Sequence, residues 1–250
     1  MTSYTHPTYS TEQLVERWES QREIKNLMGK YANCVILNRE DELFDAFWAG
    51  GENDVCLVFN DGYYKGAEAV RSYYMAERER NALVSKLLRD RFPEQLGGKN
   101  DDEIYGIGPF KVNPMACPVI EIAGDNASAK GLWYCQGAYN KVEECGPLAH
   151  WTWGFFAVDF INKDGAWRIL HLQQVNDVDS ICGMSWGRPQ KIPSPLPEFM
   201  ALADFRYPAY TESVTIREQY NPRRPFTGAP RIPEPYETFS ETFSYGIEEV

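Results

Sequence analysis

His171 lies in the run AWRILHLQQV. If that run is a strand, Trp167, Ile169, His171 and Gln173 occupy alternate positions and share one face. On an interior face the imidazole could exchange protons near neutral pH, with Gln173 beside it to orient a ligand. A hydrogen-bonded core or interface histidine is the competing reading. His150 stands at the mouth of another apolar run and faces opposite to Trp151 and Trp153, where a solvated strand-end histidine would also fit. His6 falls in the N-terminal stretch and is given no role.

Tyr31 sits on an apolar helical stripe with Leu27 and Met28, where its phenol could donate to a substrate oxygen or simply bond to backbone. Lys111 and Asn113 share a strand face after a Gly- and Asp-rich stretch. A lysine drawn partly out of water has a lowered pKa and can act as a base, or as the cation that stabilises a phenolate, although a solvated edge lysine would look the same. Asp61 and Tyr63 lie in the DGYY turn, where the carboxylate could orient a hydroxyl or merely make the turn. Trp48, Trp133, Tyr134, Trp151 and Trp153 would line walls suited to a flat ligand if their faces point inward; core filling is the default for each. The expected acid/base set is thus His171, Tyr31, Lys111 and Asp61. The expected binding set is Trp48, Tyr63, Asn113, Trp133, Tyr134, His150, Trp151, Trp153 and Gln173.

The elements that must hold these groups follow from periodicity. Residues 11–37 have a Ser10/Thr11 start signal and apolar residues at helical spacing, residues 41–48 form a second short helix closed by Gly50-Gly51, and residues 67–91 form a third. A strand is expected over 55–60, with a turn at Asp61-Gly62, and residues 92–109 read as a long loop that could act as a lid. Four further strand-like runs follow, over 110–123 with a break at Pro114 or Pro118, 127–139, 151–161 and 166–175. Hairpin-type turns at 124–126 and 162–165 predict an antiparallel meander. Helices first and sheet afterwards make an α+β architecture. Beyond Trp186 the chain turns rich in proline and aromatics, which predicts an extended arm packed on the same or a neighbouring subunit.

Composition narrows the function classes. A net charge of −11 without a Lys/Arg-rich block excludes a nucleic-acid surface. No apolar run reaches the roughly 20 residues of a membrane-spanning helix, and the N-terminus lacks the order of a secretory signal, so a cytoplasmic protein is expected. The six scattered cysteines form no CxxC pair, and no Gly-rich nucleotide loop, metal cluster or nucleophile elbow is present. No cofactor and no metal are expected, which leaves acid/base work by His, Tyr, Lys and Asp.

The stretch IKNLMGKYANCVILNREDEL, then Phe59, Gly62 and Gly66-Ala67-Glu68-Ala69-Val70, resembles the opening of SnoaL-like proteins of the NTF2-like superfamily. PVIEIAGDNASAKGLWY, WTWGFFAVDFINKDGAWRILHLQQV and Ser185-Trp186 resemble the strand meander of the longer members. The resemblance covers about residues 11–188, leaving 189–250 as the arm. It implies a cone-shaped α+β barrel with three N-terminal helices on a curved antiparallel sheet, and a homodimer. The family includes scytalone and bile-acid dehydratases, ketosteroid isomerase, polyketide cyclases and diarylpropane γ-formaldehyde lyase. Several dehydratase-like members carry an Asp and a His where this chain has Ile36, or a near neighbour, and Asn113 or Ala116, so that dyad is not reproduced. The resemblance and the residues together imply a cofactor-free lyase acting on a bulky, phenolic, lignin-dimer-like aromatic. Steroid or polyketide dehydratase or isomerase chemistry, and a non-catalytic binding or assembly module, stay open.

Overall fold

A computed structural model of the chain describes residues 8–105, 107–186, 190–226 and 230–247. His6 and the expected boundary at 188–189 lie outside the described residues. Helix α1 (Thr11–Ile36) begins with a capping box, in which Ser10 Oγ accepts from the Gln13 amide at 3.2 Å and Gln13 returns the bond to the Ser10 amide. Its buried stripe is Ile24, Leu27, Met28 and Tyr31, while Leu14 and Trp18 are exposed. The helix stops at Asn38, whose positive φ of 57° turns the chain into a 3-10 turn, Glu40–Glu42, that leads into α2 (Leu43–Phe47).

Strands β1 (Cys56–Phe59) and β2 (Gly62–Lys65) form a tight hairpin before α3 (Ala67–Arg91). The segment expected as a loop over 92–109 holds two short helices, α4 (Pro93–Leu96) and α5 (Asp101–Ile104). Next come β3 (Phe110–Val112), β4 (Met115–Ile122), β5 (Ser128–Glu143), β6 (Gly146–Lys163) and β7 (Ala166–Ile181). The sheet order is β2-β1-β7-β6-β5-β3, with β4 also paired to β5. The meander β4 to β7 is antiparallel as expected, but β1 joins β7 in parallel, so the sheet is mixed. It curves without closing, and the helices pack on its concave face around a core that includes Ile24, Met28, Phe44, Trp48, Trp133, Phe156, Phe160 and Ile169.

Two irregularities in β7 decide which side chains face the helices. Asp159 pairs with His171 but Phe160 pairs with Ile169, so Leu170 is an extra residue. Trp153 pairs with Val178 while Gly154 pairs with Asn176, so Asp177 is another. Each bulge reverses the alternation beyond it. Trp167 and Ile169 face the core, whereas His171 and Gln173 face the convex side.

The chain after residue 190 runs over the outside. A 3-10 stretch, Pro197–Asp204, packs Phe199 and Leu202 against Val84, Leu88 and Val142, and a 3-10 turn, Phe239–Glu241, precedes the last segment on the convex face. There Asp159 accepts from Lys130 Nζ (2.6 Å), Ser244 Oγ (3.1 Å) and the Tyr245 amide (2.7 Å), and pairs with His171 Nδ1 at 2.8 Å. Rings of Phe239 and Phe243 lie 4.6 Å from the Lys130 ammonium. All six cysteines are free. No described helix is long and apolar enough to cross a membrane.

Candidate active site

Between the helices and the concave face lies a cavity of about 640 Å³. Its walls carry the rings of Phe59, Tyr64, Tyr73, Tyr105, Tyr139, Tyr207 and Tyr210. Asp61 and Phe110, both exposed, stand at the rim. An inner recess of about 40 Å³, lined by Tyr31, Glu40, Tyr74 and Phe156, shares Tyr73, Glu77, Lys111, Asn113 and Gln174 with the main cavity.

Lys111 is the centre of this junction. Its Nζ donates to Glu77 Oε2 at 3.0 Å and lies 3.7 Å from Glu40 Oε1. Glu77 is held by α3 on the same stripe as Val70, Tyr74, Asn81 and Val84, and also accepts from Tyr73 Oη at 3.2 Å. Glu40 comes from the turn after α1. That turn is fixed by Asn38, whose backbone carbonyl accepts from Arg78 (2.7 Å) and whose side chain accepts from Asn81 Nδ2 (2.5 Å). Glu40 is 2% exposed, yet neither carboxylate oxygen has a hydrogen-bond partner among the described residues. Such a group is costly to bury.

The two carboxylates are driven apart. Desolvation would raise Glu77, but the Lys111 charge, the Lys111 hydrogen bond and that of Tyr207 outweigh it and bring its pKa down to about 2. Desolvation raises Glu40 above its ordinary value, against the pull of Lys111 and with the push of Glu77. Desolvation alone would lower Lys111, yet the two carboxylates hold its pKa above the usual lysine value. Lys111 is therefore a fixed cation and not a base, a correction to the expected lowering. Beside it, Tyr31 Oη and Tyr74 Oη are hydrogen-bonded at 2.9 Å, and burial pushes Tyr31 up to about 12. Both are neutral phenols able to donate.

A second polar row crosses the sheet from Lys111. Lys111 is paired with Tyr139, and Tyr139 with His150. Tyr139 Oη donates to Asp179 at 2.7 Å and lies 3.0 Å from His150 Nδ1, which is itself 2.7 Å from Asp179. Asn113 Oδ1 sits over Gly137, where a Cβ would be only 2.3 Å away, so the missing side chain makes room for the amide. The amides of Asn113 and Gln174 make no hydrogen bond among the described residues and face the cavity.

Of the residues expected from sequence, Tyr31, Lys111, Asn113 and Asp61 line the cavity, with Asp61 at its rim, and His150 reaches it through Tyr139. The others lie elsewhere. His171 and Gln173 are turned outward by the Leu170 bulge, and Gln173 donates to the Tyr245 carbonyl at 2.9 Å. Tyr63 faces the convex side and donates to Glu212 at 2.7 Å, so its neighbour Tyr64 is the inward ring. Tyr134, Trp151 and Trp153 point outward; Tyr134 and Trp151 are exposed, and Trp153 stacks on Trp186 with centroids 5.4 Å apart. Trp48 and Trp133 fill the core, where Trp48 stacks on Phe44 and Trp133 meets Phe160 edge-on. Glu40, Glu77, Tyr73, Gln174 and Tyr207 were not anticipated. Only Glu77 left a trace in the sequence, as an acid on the apolar stripe of α3.

Residues 16–173 match the model of the SnoaL-like domain. The chain belongs to the SnoaL-like family. A comparison with curated proteins returned no match. Among solved structures, this SnoaL-like chain is similar to the hexachlorocyclohexane dehydrochlorinase LinA-type3 of Novosphingobium barchaimii, with 15% identity, 70% of this chain and 99% of that one covered and a TM-score of 0.48. It is also similar to a proposed scytalone dehydratase of Novosphingobium aromaticivorans, with 11% identity, coverage of 69% and 93% and a TM-score of 0.46. A third is Rv3472 of Mycobacterium tuberculosis, of unknown function, with 17% identity, coverage of 66% and 76% and a TM-score of 0.44.

Proposed function

We propose that this SnoaL-like protein is a cofactor-independent lyase that removes water or formaldehyde from a bulky phenolic substrate. The observation that carries the reading is Glu40, a buried carboxylate with a raised pKa and no hydrogen bond, 3.7 Å from a lysine already neutralised by Glu77. Two titrating groups pushed in opposite directions around one cation are the arrangement in which one carboxylate serves as counter-ion and the other as base. Aromatic walls and a volume within the usual 300–1,000 Å³ range for small-molecule sites favour a flat, bulky ligand. The inner recess, about 40 Å³, suits a leaving fragment of one or two heavy atoms rather than a ring.

For a phenolic 1,3-diol the steps balance without a redox partner. The phenol gives its proton to solvent, and the resulting phenolate is held by the Lys111 ammonium. The benzylic C–O bond breaks, the departing hydroxide takes a proton from the Tyr31–Tyr74 pair and leaves as water, and a quinone methide remains. Glu40 then accepts the proton of the terminal hydroxyl as the C–C bond breaks. Formaldehyde departs, the electron pair restores the aromatic ring as the phenolate and forms the new C=C bond, the phenolate takes a proton back from solvent on release, and proton return from Glu40 through the Tyr31–Tyr74 pair resets the site.

The test is incubation of the purified protein with a panel of phenolic diarylpropanediols and hydroxysteroids, reading formaldehyde and new conjugated absorbance. Formaldehyde with a stilbene-type spectrum, lost in Glu40→Gln, supports the reading. Dehydration or isomerisation of the steroids alone would move it to the other enzyme class. No product and no ligand-induced thermal shift across the panel would overturn it in favour of a binding or assembly module.

A further inference from the structure

The matched domain ends at residue 173, yet part of the cavity wall comes from the arm: Tyr207, Pro208, Ala209, Tyr210, Ser213 and Gln219 all line it. This stretch is pinned as an added edge along β2. The Thr211 amide donates to the Tyr63 carbonyl (2.8 Å), the Tyr63 amide to the Glu212 carbonyl (3.2 Å), and the Lys65 amide to Thr211 Oγ1 (2.9 Å). Tyr64 Oη donates to the Pro208 carbonyl at 3.0 Å, so the inward ring of β2 also carries the arm. The seat is cut to fit: a Cβ on Gly62 would lie 2.6 Å from the Tyr210 ring and 2.7 Å from the Glu212 carbonyl oxygen.

On the cavity side the arm presents aromatic faces. Tyr210 lies 4.9 Å from Tyr64, and Tyr207 is nearly parallel to Tyr73 with centroids 6.0 Å apart. The recess beside Glu40 cannot admit a ring, so a substrate reacting there must leave its rings in the outer cavity, between these tyrosines.

We propose that the strap Tyr207–Tyr210 is the specificity-determining wall of the site, selecting two-ring phenols over single-ring ones. This inference rests on the reading of the cavity as a substrate site.

The experiment compares wild type, Gly62→Ala and Tyr210→Ala for binding of trans-4,4′-dihydroxystilbene and 4-methylphenol by isothermal calorimetry. Gly62→Ala unseats the strap by a clash and Tyr210→Ala opens the wall without one, so a folding defect in the first does not decide the outcome. The expected result is a loss of at least tenfold in stilbene affinity in both variants, with the single-ring phenol changed less than twofold. Equal binding of both probes by all three proteins overturns the specificity role. If the wild type binds neither probe, the substrate reading fails and the specificity role fails with it.

Discussion

Glu40 lies 3.7 Å from the Lys111 ammonium, inside ion-pair range but outside hydrogen-bond range, and its carboxylate makes no side-chain hydrogen bond among the described residues. The pair is therefore held by the fold and not by a bond of its own. Glu77 at 3.0 Å has taken the directional contact. If Glu40 is the proton acceptor, Glu40→Gln keeps the volume and removes the function. The expected loss in kcat is about 10²- to 10⁴-fold, the usual contribution of one positioned acid/base group, with KM changed little. Steady-state kinetics on the substrate found in the panel check it.

The flanking charges set the pH at which the site works. The rise of kcat/KM with pH should follow loss of the Glu40 proton, above the ordinary carboxylate range. Lys111 lowers the Glu40 pKa and Glu77 raises it, so their removal has opposite signs. Lys111→Met should move the acidic limb to higher pH and Glu77→Gln to lower pH. A limb that moved the same way in both variants would contradict the arrangement. Lys111→Met should also lower stability, because it leaves Glu77 and Glu40 without their cation.

Function and stability should part company at Glu40. A folded-state pKa raised above the unfolded 4.5 means that the folded chain binds more protons between the two values, so this group's contribution to stability falls as pH rises through that window. Glu77 works the other way: its pKa of about 2 contributes stability that is present above 4.5 and lost as pH falls toward 2. Glu40→Gln should accordingly gain stability relative to wild type as pH rises from 4.5 to 8. Denaturant unfolding at the two pH values measures this.

The convex-face network should matter for folding and not for chemistry. Asp159 gathers Lys130, His171, Ser244 and the Tyr245 amide, and Gly246 packs so closely on the His171 ring that a Cβ there would lie 2.8 Å away. Asp159→Asn should lower stability by about 3–5 kcal/mol and expose the last segment to proteolysis. His171→Ala should lower Tm while leaving kcat within a fewfold of wild type at a temperature where it stays folded.

The elements were largely legible because periodicity and turn residues are local signals. The Ser10/Thr11 start of α1, the Gly66 entry to α3 and the turns that join β4 to β5 and β6 to β7 could all be read in the chain. Facing was not, because strand alternation gives only relative orientation and a bulge resets it. His150 was correctly opposed to Trp151 and Trp153, but nothing in WTWGFF tells which side is the concave one. At Leu170 a single extra residue carried His171 and Gln173 to the far face. Glu40 was invisible for a different reason. In Arg39-Glu40-Asp41-Glu42 it looks like any solvated turn, and only the positive φ of Asn38 and the packing of that turn under α3 bury it. Tyr207 lies in an arm whose path no local signal sets.

The most direct measurement is the carbon-13 titration of the Glu40 side-chain carboxyl in the ligand-free protein, assigned with Glu40→Gln. The account predicts a midpoint above 4.5 that falls in Glu77→Gln and climbs in Lys111→Met. A midpoint at or below 4.5, unmoved by either change, would mean that Glu40 is an ordinary solvated acid, and the proposed base would be lost.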